Sequence, residues 1–358
     1  MRLAVDAREL TGHPTGVGRY LAGVLREWQS TGIGHEVILY AHAPVAVPGV
    51  SFPVRVLPGS GGTVWEQTTL RRAIRADRAS ALYASGYTAP LLSGVPTAVI
   101  VHDISFVAHP EWFRPREGWR RRWLTRQSAR SAAAVITVSR FSESEIVRHF
   151  GTPAHRIHVI PPAIEPPAIE RARQGHGGDR VLYVGSIFNR RHVPALIEAA
   201  VPLLTHHPTA ALDIVGDNRT YPHVDLGALI AALPPTVAPR VHWHRYVSED
   251  QLRTLYSEAR AFAYLSEYEG FGLTPLEALS VGIPAVLMDT PAGRETCGEA
   301  ALFVAPGDTA ATTRALEQLL FDGSTRDRIL AAAPSVLARY SWPRTANATL
   351  AVLEAMAR

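Results

Sequence analysis

Ala261-Phe262-Ala263-Tyr264-Leu265-Ser266-Glu267-Tyr268-Glu269-Gly270-Phe271-Gly272-Leu273-Thr274-Pro275-Leu276-Glu277 runs from an apolar strand through a glycine turn into a helix. A short apolar run followed by turn residues and helix-start signals is the repeating unit of a parallel sheet with helices on its faces. Thr274 suits the N-cap, Pro275 the first helical position, and Glu277, three residues after the cap, completes a capping box. The free N–H groups and positive dipole end of that helix open into the space left by Gly270 and Gly272, an anion site suited to a diphosphate. Glu269 sits just before the turn, outside the end of a strand, where α/β sheets carry ligands. A capping box needs no ligand, so Glu277 has a purely structural reading beside a binding one.

The same alternation fills the chain on both sides. Residues 3–6, 36–40, 97–101, 134–138 and 157–160 read as strands in the first half, and 181–184, 212–215, 240–242, 261–265 and 285–287 in the second. Each half restarts alike: 3–6 leads into Thr15-Gly16-Val17-Gly18-Arg19-Tyr20, and 181–184 into Gly185-Ser186 and a helix near 193–204. Between them, Pro161-Pro162-Ala163-Ile164-Glu165-Pro166-Pro167 and Gln174-Gly175-His176-Gly177-Gly178 punctuate the chain as a linker. For 358 residues, at roughly 150 per domain, the expectation is two α/β domains, 1–165 and 179–340, joined by 166–178. A final amphipathic helix over 344–357 is expected to pack back on the first domain. Two doubly wound domains facing across a cleft is the simplest architecture.

Composition narrows the chemistry. Hydrophobic content of 47% with 19% charged residues describes an ordinary globular protein with ample core. All 36 basic residues counted as Lys+Arg are arginine, which excludes a lysine Schiff base and a Walker lysine. Cys297 is the only cysteine, so no disulfide framework or thiolate zinc cluster is expected, consistent with a cytoplasmic setting. Asp6 interrupts the only stretch that could start a signal peptide. The uncharged run 79–101 is long enough to span a bilayer, but Gly86, Pro90, Gly94 and Pro96 cut it into strands and turns.

Net charge is +4, and the basic residues cluster. Arg114-Pro115-Arg116-Glu117-Gly118-Trp119-Arg120-Arg121-Arg122-Trp123-Leu124-Thr125-Arg126-Gln127-Ser128-Ala129-Arg130 follows Trp112-Phe113 and spaces two tryptophans by one helical turn. A basic helix with aromatic anchors suits an anionic membrane surface, which would place the protein peripherally on the inner face of the membrane through 112–130. The competing reading is a solvated helix whose tryptophans pack on their own domain. No nucleic-acid motif accompanies the charge, and no nucleic-acid partner is expected.

Three further motifs bear on the ligand. Gly16-Val17-Gly18 is followed by Leu21 where a dinucleotide fingerprint needs a third glycine, and the second strand ends without a carboxylate, so a nicotinamide site is disfavoured. The glycines still permit close backbone approach to a phosphate or sugar. His102-Asp103 follows the apolar run 97–101, again outside a strand end. Asn189-Arg190-Arg191-His192 lies in the loop after 181–184, where paired arginines read either as a solvated charge run or as a clamp on a diphosphate. No Asp-x-Asp occurs, so the usual carboxylate pair for a metal against a diphosphate is missing; no metal or cofactor is expected. Leaving-group charge would then fall to arginines and helix N-termini.

Together these residues resemble the retaining glycosyltransferases of family 4. The resemblance is carried by Glu269 to Glu277, Tyr183-Val184-Gly185 with Arg190-Arg191, Gly16-Val17-Gly18-Arg19-Tyr20, and Val101-His102-Asp103-Ile104-Ser105-Phe106 with His109-Pro110-Glu111-Trp112-Phe113. Weaker matches are Ala134-Val135-Ile136-Thr137-Val138-Ser139, Val159-Ile160-Pro161 and Ala300-Ala301-Leu302-Phe303-Val304. The resemblance implies a GT-B fold of two Rossmann-like domains, with the nucleotide sugar held mainly by the second. It implies that Glu269 contacts donor-sugar hydroxyls and that the Phe271-Gly272-Leu273 backbone, with Thr274 at the helix start, approaches sugar and diphosphate. Glu277 would bind ribose hydroxyls, Arg190 and Arg191 the diphosphate, and Val247 would lie beside the base. His102 and Gly16 would complete the site from the first domain. The family pattern that the chain resembles usually has Arg-Lys-Asn where this chain has Arg190-Arg191-His192, which replaces a point donor by a planar fork.

The function implied is metal-independent transfer of a sugar, with retention, from a nucleotide-diphosphate donor to a hydroxyl of a glycan or polyprenyl-linked acceptor. His102, Arg190, Arg191 and Glu269 are the catalytic candidates. The His102 and His109–Phe113 segments look nearest to the mannosyltransferase-like subgroup, which puts GDP-mannose first and leaves UDP-glucose and dTDP-rhamnose open. A nucleotide-sugar epimerase and a nucleotide-sugar-binding protein without turnover are the competing readings; a pyridoxal-dependent phosphorylase is excluded by the absence of lysine.

Overall fold

The computed structural model describes residues 1–12, 16–166 and 178–358, with the backbone alone for 115–117. Thr15 and nearly all of the expected linker, including Gln174 to Gly177, lie outside the described residues. The chain divides into two compact units. The first comprises Met1–Pro110, Pro115–Ala163 and Tyr340–Arg358, the second Glu111–Arg114 and Ile164–Arg339.

The first unit holds a parallel sheet of seven strands: β1 (Arg2–Asp6), β2 (Glu36–Ala41), β3 (Val54–Val56), β4 (Ala81–Ala84), β5 (Thr97–Ile100), β6 (Ala134–Thr137) and β7 (Ile157–Val159). Their order is β3-β2-β1-β4-β5-β6-β7. The second holds six parallel strands, β8 (Arg180–Val184), β9 (Ala211–Val215), β10 (Val241–His244), β11 (Ala259–Tyr264), β12 (Ala285–Met288) and β13 (Ala301–Val304), in the order β10-β9-β8-β11-β12-β13. Both are doubly wound, Rossmann-like sheets: the winding reverses between β1 and β4 in one and between β8 and β11 in the other. Every residue of β4, β5, β6, β9 and β12 is buried, as strands covered on both faces must be.

All ten strands expected from sequence are present, within two residues at each end. β3 and β13 were not anticipated, and β4 falls among the strands expected in the run 79–101 without bounds. β4 is central, pairing with both β1 and β5, and it is too short, at four buried residues, to show a period that separates strand from helix. Among the described residues no helix is long and apolar enough to cross a membrane.

The C-terminal helix, Trp342–Met356, belongs to the first unit and packs along helix Gly16–Thr31. Trp28 Nε1 donates to the Ala346 carbonyl at 3.1 Å, and Thr345 Oγ1 to the Pro161 carbonyl at 2.8 Å. Gly23 makes this approach feasible, because a Cβ there would lie 2.2 Å from the Trp342 ring.

Candidate functional site

In the second unit the loops that leave β8 and β11 meet at the switch point, and Glu269 is their hub. Its Oε1 accepts hydrogen bonds from Arg191 Nε, Tyr264 Oη and Ser266 Oγ, each at 2.9 Å, while Arg190 Nε lies 3.9 Å away. Its Oε2 has no protein partner among the described residues. Burial pushes this carboxyl upward, but the guanidiniums of Arg191 and Arg190 outweigh burial and hold it down at about 2. It is therefore a fixed anion whose second oxygen remains an acceptor.

The two arginines are placed by the loop after β8. Gly185, at φ 150°, brings the backbone so close that a Cβ would stand 2.6 Å from Arg191 Nη1, which donates to the Ser186 carbonyl at 2.8 Å. Arg191 also lies over the Tyr264 ring, 5.2 Å from its centroid, and Tyr264 stacks on Tyr183 at 5.9 Å. Burial pushes the Tyr183 hydroxyl up to about 12 even against Arg191, so it stays protonated. Arg190 is buried, covers the Phe188 ring at 4.6 Å and donates through Nε to the Tyr268 carbonyl at 3.1 Å. Among the described residues neither terminal nitrogen of Arg190 makes a hydrogen bond, which leaves charged N–H donors for an anion. The solvated-charge-run reading does not hold for this pair. His192 takes the left-handed conformation at φ 46° and sets its Nε2 2.9 Å from Glu267 Oε2.

The helix after the glycine turn begins earlier than the sequence suggested. It spans Leu273–Ser280, and its N-cap is Gly272 at φ 89°, with no side-chain cap. The expected capping box is absent: Thr274 lies in the first turn with Oγ1 buried and unpartnered, and Pro275 is tolerated there because first-turn N–H groups have no intrahelical acceptor. The left-handed glycine supplies the change of direction that a capping side chain would otherwise fix. Nothing lies within 4 Å of where a Gly272 Cβ would stand, so the turn borders open space. Phe271, Gly272 and Pro275 line a cavity with Tyr264, Ser266 and Glu269. Leu273 is half-buried beside that turn, and Glu277 is buried one turn further on. Val247 sits half-buried in the loop between β10 and helix Glu249–Glu258.

His102 and Gly16 belong to the first unit. Gly16 opens helix Gly16–Thr31, exposed and with nothing within 4 Å of a Cβ position. His102 follows β5, edge-on to Tyr20 of that helix at 5.5 Å and tilted against Tyr87 at 5.7 Å. Burial lowers its pKa to about 4 against the opposing pull of Asp103 and a hydrogen bond to the Ser85 backbone. The imidazole is neutral near pH 7, and its Nε2 is buried without a partner.

Sequence reasoning missed a second polar cluster at the switch point of this sheet. Arg8 is bound by Asp6, through Nε at 3.0 Å and Nη2 at 2.6 Å, and by Glu66, and it stacks on Trp65 at 5.4 Å. Thr88 Oγ1 donates to Glu66 Oε1 at 2.7 Å. Burial, then Asp6, raises the pKa of nearby Glu9. Tyr87 is held at φ 61°, an uncommon conformation for an aromatic residue, between the rings of His102 and Phe106. The only sequence signal was Asp6 at the end of β1, since Glu66 and Thr88 lie far along the chain from it.

The description "Glycosyltransferase Family 4" matches residues 14–167, and "Glycosyl transferases group 1" matches residues 178–322. The chain is similar to O-antigen chain mannosyltransferase B of Escherichia coli, 32% identical over 70% of this chain and 68% of that one. It is also similar to alpha-D-kanosaminyltransferase of Streptomyces kanamyceticus, 28% identical over 78% of each. Among solved structures, HepE of Anabaena with UDP and glucose superposes with a TM-score of 0.73 at 18% identity, covering 99% of this chain and 100% of that one.

Proposed function

The chain belongs to the family 4 glycosyltransferases, and from that premise we propose that it transfers mannose from GDP-mannose, with retention and without a metal ion, to a hydroxyl of a glycan or lipid-linked acceptor. The observation that carries this reading is Glu269: a carboxylate neutralised through one oxygen by two arginines, with the other oxygen unpartnered beside an open glycine turn. Oε2 accepts from donor-sugar hydroxyls, while the free N–H groups of Arg190, the guanidinium of Arg191 and the helix start at Leu273 face the diphosphate.

Charge grows on the departing phosphate oxygen as its bond to the anomeric carbon breaks, and those cationic donors stabilise it. The acceptor oxygen bonds to the same face of that carbon, and its proton passes to the leaving phosphate oxygen. Neutral His102, through the lone pair of Nε2, accepts from a sugar hydroxyl. Mannose is supported by the Escherichia coli mannosyltransferase and by an MMP alpha-(1->4)-mannosyltransferase of Mycolicibacterium hassiacum, 28% identical over 73% of this chain. HepE, solved with UDP and glucose, makes UDP-glucose the second donor to test.

The deciding experiment measures thermal shifts with GDP, UDP and dTDP, then transfer from the matching sugars with and without EDTA, reading the product anomer by NMR. A nucleotide that binds only the folded state at a hundred times its Kd should add roughly 2.7 kcal/mol of stability. Stabilisation by GDP and an α-linked mannoside formed in EDTA support the proposal. A preference for UDP or dTDP replaces the donor, loss of transfer in EDTA removes metal independence, and an inverted product removes the retaining mechanism.

A further inference from the structure

Helix Pro115–Ser131 and helix Arg140–Phe150 enclose an apolar groove of about 280 Å³, lined by Trp119, Trp123, Phe150 and Val107 and rimmed by Arg122 and Arg126. Trp119 is 66% exposed and Trp123 46%, so these indoles do not pack away on their own unit, as one of the sequence readings had it. Two adjacent exposed indoles beside an open apolar groove mark a surface that binds something. From Gly118 to Ser131 the helix carries five arginines and no acidic residue. Among the described residues Arg120 and Arg126 make no hydrogen bond or ion pair, and Arg122 reaches only the Phe106 carbonyl, at 3.5 Å. Glu145, on the facing helix, is engaged by Arg148 and His149.

A peptide lying in this groove would bury main-chain N–H and C=O groups against walls that offer little to satisfy them; a hydrocarbon chain has no such groups. The unpaired cations at the rim complement a phosphate. We propose that the groove takes an acyl chain of an anionic phospholipid, its phosphate held by Arg122 and Arg126 and the two indoles lying at the membrane interface. This rests on the reading of 112–130 as a membrane-facing segment and adds a defined lipid site to it. The next arginine along, Arg121, turns away from the groove and stacks on the rings of Tyr87 and Phe106, at 4.7 and 4.4 Å. One helix thus joins the lipid groove to the strand ends around His102, so a seated lipid holds that edge near the bilayer.

The test uses the full chain with phosphatidylglycerol and phosphatidylcholine vesicles, plain and brominated at mid-chain. The chain should bind phosphatidylglycerol vesicles only, and Arg122→Ala/Arg126→Ala should weaken binding by roughly thirty-fold. Mid-chain bromine should quench tryptophan fluorescence, and Trp119→Phe/Trp123→Phe, which keeps the apolar bulk, should lose that quenching. Gln127→Phe, which fills the groove, should retain vesicle binding but lose the quenching; unchanged melting temperatures show that each variant folds. Binding with equal quenching in wild type and Gln127→Phe overturns the groove while leaving the membrane reading intact. No binding to either vesicle overturns both, and binding of an acidic polypeptide instead of vesicles assigns the surface to a protein partner and overturns the proposal.

Discussion

At the residue scale, Glu269 and His102 solve opposite problems of burial. Glu269 keeps its charge because two cations surround it, so removing the charge strands them: Glu269→Gln should cost about 3–5 kcal/mol of stability, the range for breaking a buried ion pair. It should also lower transfer at least a hundredfold; wild-type turnover in a folded Glu269→Gln protein would remove this residue from the site. His102 meets burial by giving up its proton. Its folded pKa, about 4, lies below the ordinary 6.5, so its contribution to stability is complete above 6.5 and is lost as pH falls through 4. That loss is no more than about 3 kcal/mol. Denaturation curves should show it for the wild type, with a flatter profile for His102→Asn. Glu269 behaves differently, since its contribution falls only between pH 4.5 and about 2. A stability loss confined to pH below 4 in both proteins would show that His102 is not buried neutral.

At the element scale, two sequences with similar cap signals behave differently. Ser248 forms a capping box with Gln251, whereas Thr274 and Glu277, at the same spacing, do not. The difference lies in the preceding residue. Gly272 takes a left-handed conformation and starts the helix two residues before the position a capping threonine needs, so Thr274 Oγ1 enters the first turn unpartnered. Ser248→Ala should therefore cost about 1 kcal/mol. Thr274→Ala should be neutral or slightly stabilising, because it removes an unsatisfied buried hydroxyl. Equal losses in urea titrations of the two variants would contradict this account. The error was local: strand, turn and helix were legible as a unit, but the φ of a glycine is not encoded in cap chemistry. Glu269 was legible as a carboxylate outside a strand end. Its binders Tyr264 and Ser266 were not, because a strand tyrosine and a loop serine carry no signal until the turn folds back on them.

At the scale of the whole molecule, the alternation of strands and helices disclosed two sheets, and the amphipathic stretch over 344–357 disclosed the helix that closes the first unit. Its C-terminal helix returns from the end of the sequence, tied through Trp28–Ala346 and Thr345–Pro161, while Arg339 Nη2 still donates to the Thr296 carbonyl of the second unit at 2.6 Å. The Asp6, Arg8, Glu66 and Thr88 cluster was hidden, because Glu66 and Thr88 lie far along the chain from the end of β1 and only the folded sheet brings them to it. A chain ended after Arg339 should therefore lose stability selectively. It strips the cover from helix Gly16–Thr31, including Leu353 and Ala346, both fully buried, the first worth about 1.5–3 kcal/mol of lost burial and the second about 0.8 kcal/mol, and leaves the Glu269 cluster intact. Calorimetry should show the transition of the first unit lowered or lost and that of the second kept. The donor nucleotide should still raise the surviving transition, since Glu269, Arg190 and Arg191 all belong to the second unit. A single cooperative loss of both transitions would mean that the two units do not fold independently, and absence of a nucleotide shift in the surviving one would move the diphosphate site out of the second unit.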